Sequence, residues 1–172
     1  MDDCSICDEN DRQASGACVG AVAGLATGWV RLHRVQRYRG AAFFAARDCV
    51  REVYHLDPET RVLHLAELVE VCAALDAVFS PAKMNVESLG NGVPHLHWWL
   101  TPRHADDPRP VGPIWENLDF LRDMWTGKAD QGADQLAADV ELLGAELDRR
   151  GRRLLTRVPH WRRRSVGGKT EP

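Results

Sequence analysis

Apolar and polar positions change rhythm several times along the 172 residues. Residues 1–15 are polar and without period, apart from Cys4-Ser5-Ile6-Cys7, and read as an irregular arm. Residues 16–27 are small and glycine-rich and read as a loop or the start of a short strand. From Trp29, "WVRLHRVQRY" alternates apolar and polar, the period of a half-buried strand. Arg39-Gly40 is a turn signal, and "AAFFAAR" after it reads as a second, buried strand, so the two predict an antiparallel hairpin. "DPETRVLHLAELVEVCAALDAVF" then opens with Asp57 as N-cap and Pro58 at the first helical position, with Glu59 and Glu67 adding charge along it. Val62, Leu65, Val69, Cys72 and Phe79 recur mostly at helical spacing and predict the core face of a long helix ending near Pro81. Cys72 lies on that face and reads as a core thiol, while His64 lies beside it and reads as a surface or boundary residue.

"KMNVESL" predicts a third strand and "HLHWWLTPR" a fourth, joined through the tight turn Gly90-Asn91-Gly92. "RHADDPRPVGP" is a proline-rich loop, and "IWENLDFLRDMW" suits a short amphipathic helix. Leu136, Val140, Leu143 and Leu147, spaced four, three and four, mark a C-terminal helix docked on the domain or on a second subunit. No internal repeat is present. The length suits one globular domain with a proper core.

Composition changes this picture little. The chain is 44% hydrophobic and 27% charged, with a formal net charge of −3, so no global pull toward nucleic acid or anionic membrane is expected. The charge is uneven: "DRRGRRLLTRVPHWRRR", Asp148 to Arg164, is strongly basic and reads as a solvated helix end and tail or as a phosphate-attracting tail. No apolar run approaches the roughly 18 residues of a membrane span; the nearest, "GACVGAVAGLATGWV", is short and broken by glycine. The acidic start "MDDCSICDENDR" lacks the positive region of a signal peptide, so a cytoplasmic location is expected. There, the five cysteines read as thiols or metal ligands rather than disulfides.

The stretch "GNGVPHLHWWL" carries the chemistry. Residues i and i+2 of a strand share a face, which puts His95, His97 and Trp99 on one side and Leu96, Trp98 and Leu100 on the core side. Adjacent imidazoles on an open sheet face suit metal binding or nucleophilic and acid–base chemistry, or equally a plain polar surface. The turn just upstream offers backbone N–H groups to an anion. Cys4-x-x-Cys7 has the spacing of a metal-ligand pair.

"NVESLGNGVPHLHWWLTPR" resembles the histidine-triad (HIT) family, whose signature alternates three histidines with apolar residues. "RVQRYRGAAFFAARDCVREVYHLDPE" is similar to the family's segment from the glycine turn through the second strand to the helix start, and Asp106, Asp107 and Pro108 fit the loop after the motif. The resemblance covers roughly residues 1–116. It implies an α+β fold, with an antiparallel sheet of about five strands and one long helix packed on it, to which the apolar stripe from Leu136 to Leu147 adds a C-terminal helix. The division that follows is 1–116 as the HIT-like domain with a zinc-binding arm, 117–158 as a helical extension and 159–172 as a basic tail. It also implies a homodimer, while the charge and hydropathy above predict no membrane association and no specific nucleic-acid binding.

The activity the resemblance implies is hydrolysis or transfer at the α-phosphate of a nucleotide adduct, a dinucleoside polyphosphate or nucleoside phosphoramidate. His97 matches the family's nucleophile, which forms a nucleotidyl-histidine. Gly90, Asn91 and Gly92 match the phosphate-holding turn, Asn85 matches a polar residue near ribose and phosphate, and Arg103 is a further candidate phosphate ligand. Trp99 stands where the family has its third histidine. An indole donates one hydrogen bond and cannot shuttle a proton, and loss of a general acid commonly costs about 10²–10⁴ in rate. That favours good leaving groups or nucleotidyl transfer; His104 is a candidate substitute proton source. The resemblance further implies a structural zinc site of Cys4, Cys7, Cys49 and His95, with His55 as runner-up for the third ligand and Cys18 without a partner. Alternatively, Cys4 and Cys7 are a frayed terminus and Cys49 a core thiol. Two other readings stay open: a binding module whose triad has decayed, and a repurposed enzyme in a dedicated biosynthetic pathway.

Overall fold

The computed structural model describes residues 4–107, 111–127 and 132–151. The expected segment 152–158 and the basic tail 159–172 lie outside the described residues. Four α-helices and five strands follow in the order α1 (Ser5–Ala14), β1 (Ala21–Gly24), β2 (Gly28–Leu32), β3 (Ala42–Ala46), α2 (Pro58–Phe79), β4 (Lys83–Glu87), β5 (His97–Arg103), α3 (Leu118–Thr126) and α4 (Ala133–Arg149). Short 3₁₀ turns occupy Val53–His55 and Ile114–Glu116. The strands form one sheet in the order β1-β2-β3-β5-β4, with every neighbouring pair antiparallel. This is the α+β architecture expected, and β1, within the glycine-rich stretch, is its fifth strand.

The β2–β3 hairpin forms as the pattern predicts, with Gly40 at φ 87° in the turn, where a Cβ would meet the Phe79 ring. β2 is shorter than its alternation suggested, and all five of its residues are buried. The reason is its place inside the sheet, with β1 and β3 on its two sides and helices over both faces. Val30, Leu32, Ala42, Phe44 and Leu100 face α2 and α4 and join Leu68, Val71, Leu75, Leu136, Leu143 and Leu147 in the main core. The stripe expected of α4 is thus its docking face. The opposite sheet face carries Arg31, Phe43, His97 and Trp99 and is met by α1 and by residues 111–127.

Two expectations fail, for physical reasons. Residues 5–14 are helical; α1 is held less by hydrocarbon than by Asn10 and Gln13, whose side-chain amides donate to the carbonyls of Ala46 (3.0 Å) and Val30 (2.7 Å). The long helix starts where expected, with Asp57 accepting from the Thr60 N–H at 3.0 Å. Its buried side, however, is His64, Glu67, Leu68, Val71, Ala74, Leu75 and Phe79. Val62, Leu65 and Val69 are instead exposed, Val62 at 70% and Val69 at 64%. The helix is apolar on most sides, so spacing alone does not fix its phase.

His64 is correspondingly not a surface residue. Its Nδ1 lies 2.8 Å from Thr27 Oγ1, its Nε2 accepts from Trp98 Nε1 at 3.0 Å, and it stacks on Phe44. The Glu67 carboxylate beside it accepts from the Ala26 and Thr27 N–H groups and from the Thr27 hydroxyl. A buried carboxylate with three donors ties the β1–β2 turn to α2.

Candidate metal centre and reaction pocket

Cys4 caps α1 and Cys7 follows one turn later, so both thiols project from one side of the helix start. Cys49 sits in the loop after β3, and His95 two residues before β5. The donor atoms of Cys4, Cys7, Cys49 and His95 all lie within 4.8 Å of one another. A tetrahedral zinc with 2.3 Å bonds spaces its sulfurs about 3.8 Å apart, so only small adjustments separate this cluster from a closed site. His95 is fully buried. Its Nε2 is 2.8 Å from the Ala46 carbonyl, which makes Nε2 the protonated nitrogen and leaves the Nδ1 lone pair facing the sulfurs of Cys4 (3.4 Å) and Cys7 (3.5 Å). A ring N–H anchored on a carbonyl is how metal-bound histidines are usually oriented.

Burial pushes the Cys7 thiol well above its ordinary range, reinforced by the neighbouring Cys49 and Cys4 sulfurs. Burial likewise raises Cys49 and lowers His95. Three packed sulfurs with so little solvent ionise together only around a cation. His55 is outside the cluster: it is exposed and packs on Tyr54 at 4.6 Å. Cys18 does have a partner, Glu9, whose Oε1 lies 3.0 Å away; burial first and Glu9 second push its thiol up to about 12. Cys72 packs partly buried against the main core, which pushes its thiol up to about 11.

His97 begins β5 and is 9% exposed. Its Nδ1 lies 2.6 Å from the His95 carbonyl oxygen. That contact assigns the proton to Nδ1 and leaves Nε2 a free lone pair. The two histidines therefore have opposite tautomers, each fixed by a backbone carbonyl. His97 lines a cavity of about 440 Å³ together with Phe43, Trp99, Trp115, Arg31, Ile6 and the loop 89–93. Gly90, Asn91 and Gly92 are all in that loop, with Gly90 in the left-handed region at φ 64°. Trp99 meets Phe43 edge-on at 4.2 Å and Trp115 at 5.3 Å, forming an aromatic wall beside His97.

Two expected substrate ligands are not in this wall. Arg103 is buried and spends its guanidinium on Asp107 (2.5 Å), Asn85 Oδ1 (3.0 Å) and the Gly112 carbonyl (2.8 Å). Asn85 and Arg103 thus anchor the loop after β5 rather than face His97. His104 Nε2 lies 2.9 Å from the Arg39 carbonyl, also away from the cavity lining. Arg31, Phe43, Ile6 and Trp115 were not anticipated. An arginine inside an otherwise apolar strand was the available signal for Arg31; nothing local marks Trp115.

A five-stranded antiparallel sheet with this strand order, the long helix beneath and the alternating motif at the start of β5 is the histidine-triad fold. Among solved structures, the chain is similar to a histidine triad protein of Sinorhizobium meliloti, with 23% identity over 74% of this chain and 90% of the other, at a TM-score of 0.62. A histidine triad protein of Marinobacter aquaeolei shares 25% identity over 75% of this chain and 88% of its own, at a TM-score of 0.59. A zinc-bound histidine triad family protein of Mycobacterium smegmatis matches at 15% identity over 86% and 95%, with a TM-score of 0.59. No family model matches the sequence, and no curated protein does.

Proposed function

We propose that the protein is a HIT-type nucleotide hydrolase or nucleotidyl transferase that works through a nucleotidyl-histidine on His97. The observation carrying this is the His97 tautomer: Nδ1–H is spent on the His95 carbonyl, and the free Nε2 belongs to a side chain lining a cavity beside the Gly90–Gly92 loop. In the reaction, Nε2 bonds to the α-phosphorus and the bond to the leaving atom breaks with its electron pair. The positive charge on the ring is stabilised through Nδ1–H and the carbonyl. Water then attacks phosphorus, releases a proton and frees Nε2; in transfer, another acceptor takes water's place. Trp99 contributes a hydrophobic wall and no proton, so the favoured substrates are those whose leaving group departs without general acid. Cys4, Cys7, Cys49 and His95 hold a structural zinc with no open position, which fastens α1 to the sheet and fixes the His95 carbonyl that orients His97. The zinc-bound Mycobacterium smegmatis neighbour supports this assignment.

The exposed apolar residues Val62, Leu65 and Val69 on α2 support a homodimer through that helix. Sedimentation would show a dimer that Val69→Asp converts to monomer; a monomeric wild type sinks this part. The decisive experiment for the function is intact-protein mass spectrometry after mixing with an adenosine phosphoramidate or diadenosine tetraphosphate. A gain of one adenylate, absent in His97→Ala, is expected. AMP binding without adduct or turnover would favour the second reading, a nucleotide-binding module, which the indole of Trp99 at the triad position supports.

A further inference from the structure

The cavity at His97 continues past Phe43. Ile6, Arg31 and Phe43 line both it and an adjoining hollow of about 310 Å³, whose wall also includes Arg12, His33 and Arg34. Together they make one groove, with His97 at one end and three arginines toward the other. In the sheet, Arg31 on β2 pairs with Phe43 on β3, which pairs with Trp99 on β5. Two strand spacings therefore separate Arg31 from Trp99, about 10 Å of backbone. The groove spans two ends of one small molecule.

Arg31 is only 7% exposed. Its Nη1 donates to Asn10 Oδ1 at 3.1 Å, and its guanidinium lies over the Phe43 ring, 5.6 Å from the centroid. Asn10 is itself fully buried and fixed on the Ala46 carbonyl, so the arginine is held in place before any ligand arrives. Among the described residues Arg31 forms no ion pair. Glu9, the acidic residue of the same hollow, hydrogen-bonds Arg12 and Cys18 and reaches Arg31 only through its field, without a direct ion pair. Burial lowers the pKa of the guanidinium and outweighs the opposing pull of Cys18 and Glu9. A guanidinium offers five N–H donors, and a buried one without its counter-charge is costly. A purely structural role, fastening α1 to the sheet, is already served by neutral Gln13, which donates to the Ala23 and Val30 carbonyls.

We propose that Arg31 is the specificity-determining residue of a second anion subsite. The substrate is then a nucleotide conjugate with two anionic groups: the reacting phosphate at His97 and a phosphate or carboxylate at Arg31. This rests on the reading of His97 as the nucleotide end of the site.

The test uses the zinc-loaded protein and two matched ligand sets. For phosphate, calorimetry compares AMP with adenosine 2′,5′-bisphosphate and adenosine 3′,5′-bisphosphate. For carboxylate, the rate of His97 adduct formation compares the AMP phosphoramidates of 4-aminobutyrate and of its amide. One of the doubly anionic ligands is expected to be favoured by about tenfold or more, the scale of one charge-assisted hydrogen bond. Arg31→Met should erase that preference, read as the ratio of the bisphosphate or carboxylate ligand to its singly anionic match, and Arg31→Lys should keep part of it. Which set shows the preference identifies the anion. If Arg31→Met does not fold, the wild-type ranking and Arg31→Lys decide. No preference in either set with AMP binding intact overturns the second subsite alone, as does an equal weakening of AMP and bisphosphates in Arg31→Met. Failure of wild-type protein to bind AMP overturns the nucleotide reading and this proposal with it.

Discussion

The two faces of the sheet differ in kind although they share strands. The face against α2 and α4 is nearly all hydrocarbon, with Phe44, Leu100, Leu75 and Leu143 fully buried. The face against α1 carries Arg31, His95 and His97, all largely buried, and its contacts with α1 include hydrogen bonds from Asn10 and Gln13. β5 shows the contrast residue by residue: Leu100 points to the first face, His97 and Trp99 to the second. One face holds the domain together by excluded water; the other stores oriented polar groups that the first face makes affordable. Stability and chemistry should therefore separate under mutation.

The sharpest break in that comparison is His97→Ala. It should abolish the nucleotide adduct while lowering the thermal midpoint by only about 2–4 °C, because the loss is one hydrogen bond to the His95 carbonyl and part of a cavity wall, about 1 kcal/mol. A large fall in midpoint would show His97 to be a structural residue. Next is Cys7→Ser, which removes one of the four donors proposed to hold zinc on the polar face. About 4 kcal/mol, or about 8–16 °C, should be lost, together with stoichiometric zinc as read by elemental analysis. Zinc retained at one per chain would remove Cys7 from the site. On the hydrocarbon face, Leu100→Ala should cost about 3 kcal/mol and leave AMP affinity within about twofold of wild type. A comparable loss of affinity would mean that the faces are not independent.

The smallest effect concerns one of the buried polar groups on the hydrocarbon side, His64. Burial lowers the His64 pKa from 6.5 to about 4. Above pH 6.5 the ring is neutral in both folded and unfolded chains and contributes nothing. As pH falls from 6.5 toward 4, the unfolded chain takes up a proton that the folded one refuses, so stability drops, by about 2 kcal/mol at pH 5. His64→Gln keeps an acceptor for Trp98 and should flatten that decline in urea unfolding between pH 7 and 5. An unchanged slope would place the acid sensitivity elsewhere.

The same contrast explains what was legible in the sequence. The hairpin, the N-cap at Asp57, the α4 stripe and the Cys4-x-x-Cys7 pair follow from short-range spacing and donor chemistry, while Cys49 and His95 joined that pair only through the family resemblance. The phase of α2 was not legible, because Val62, Leu65 and Val69 are as apolar as Leu68, Val71 and Leu75, and only the sheet decides which set is inside. His64 was misplaced with it. α1 escaped notice because its docking is polar, through Asn10 and Gln13, and leaves no hydrophobic period. Arg103 looked free in sequence, yet Asp107 four residues later and Asn85 on the paired strand claim it.

α1 packs three duties into ten residues: Cys7 belongs to the cluster of four donors, Ile6 walls the cavity and Asn10 steadies Arg31. Whatever loosens this helix loosens all three, and linkage makes the dependence mutual. On the zinc and nucleotide readings proposed above, a cell starved of zinc would lose the binding groove along with the ion, and a well-supplied substrate would in turn guard the ion against competing chelators. Zinc affinity read by chelator competition should accordingly rise when AMP saturates the groove; an unchanged affinity would mean that the helix carries its duties separately.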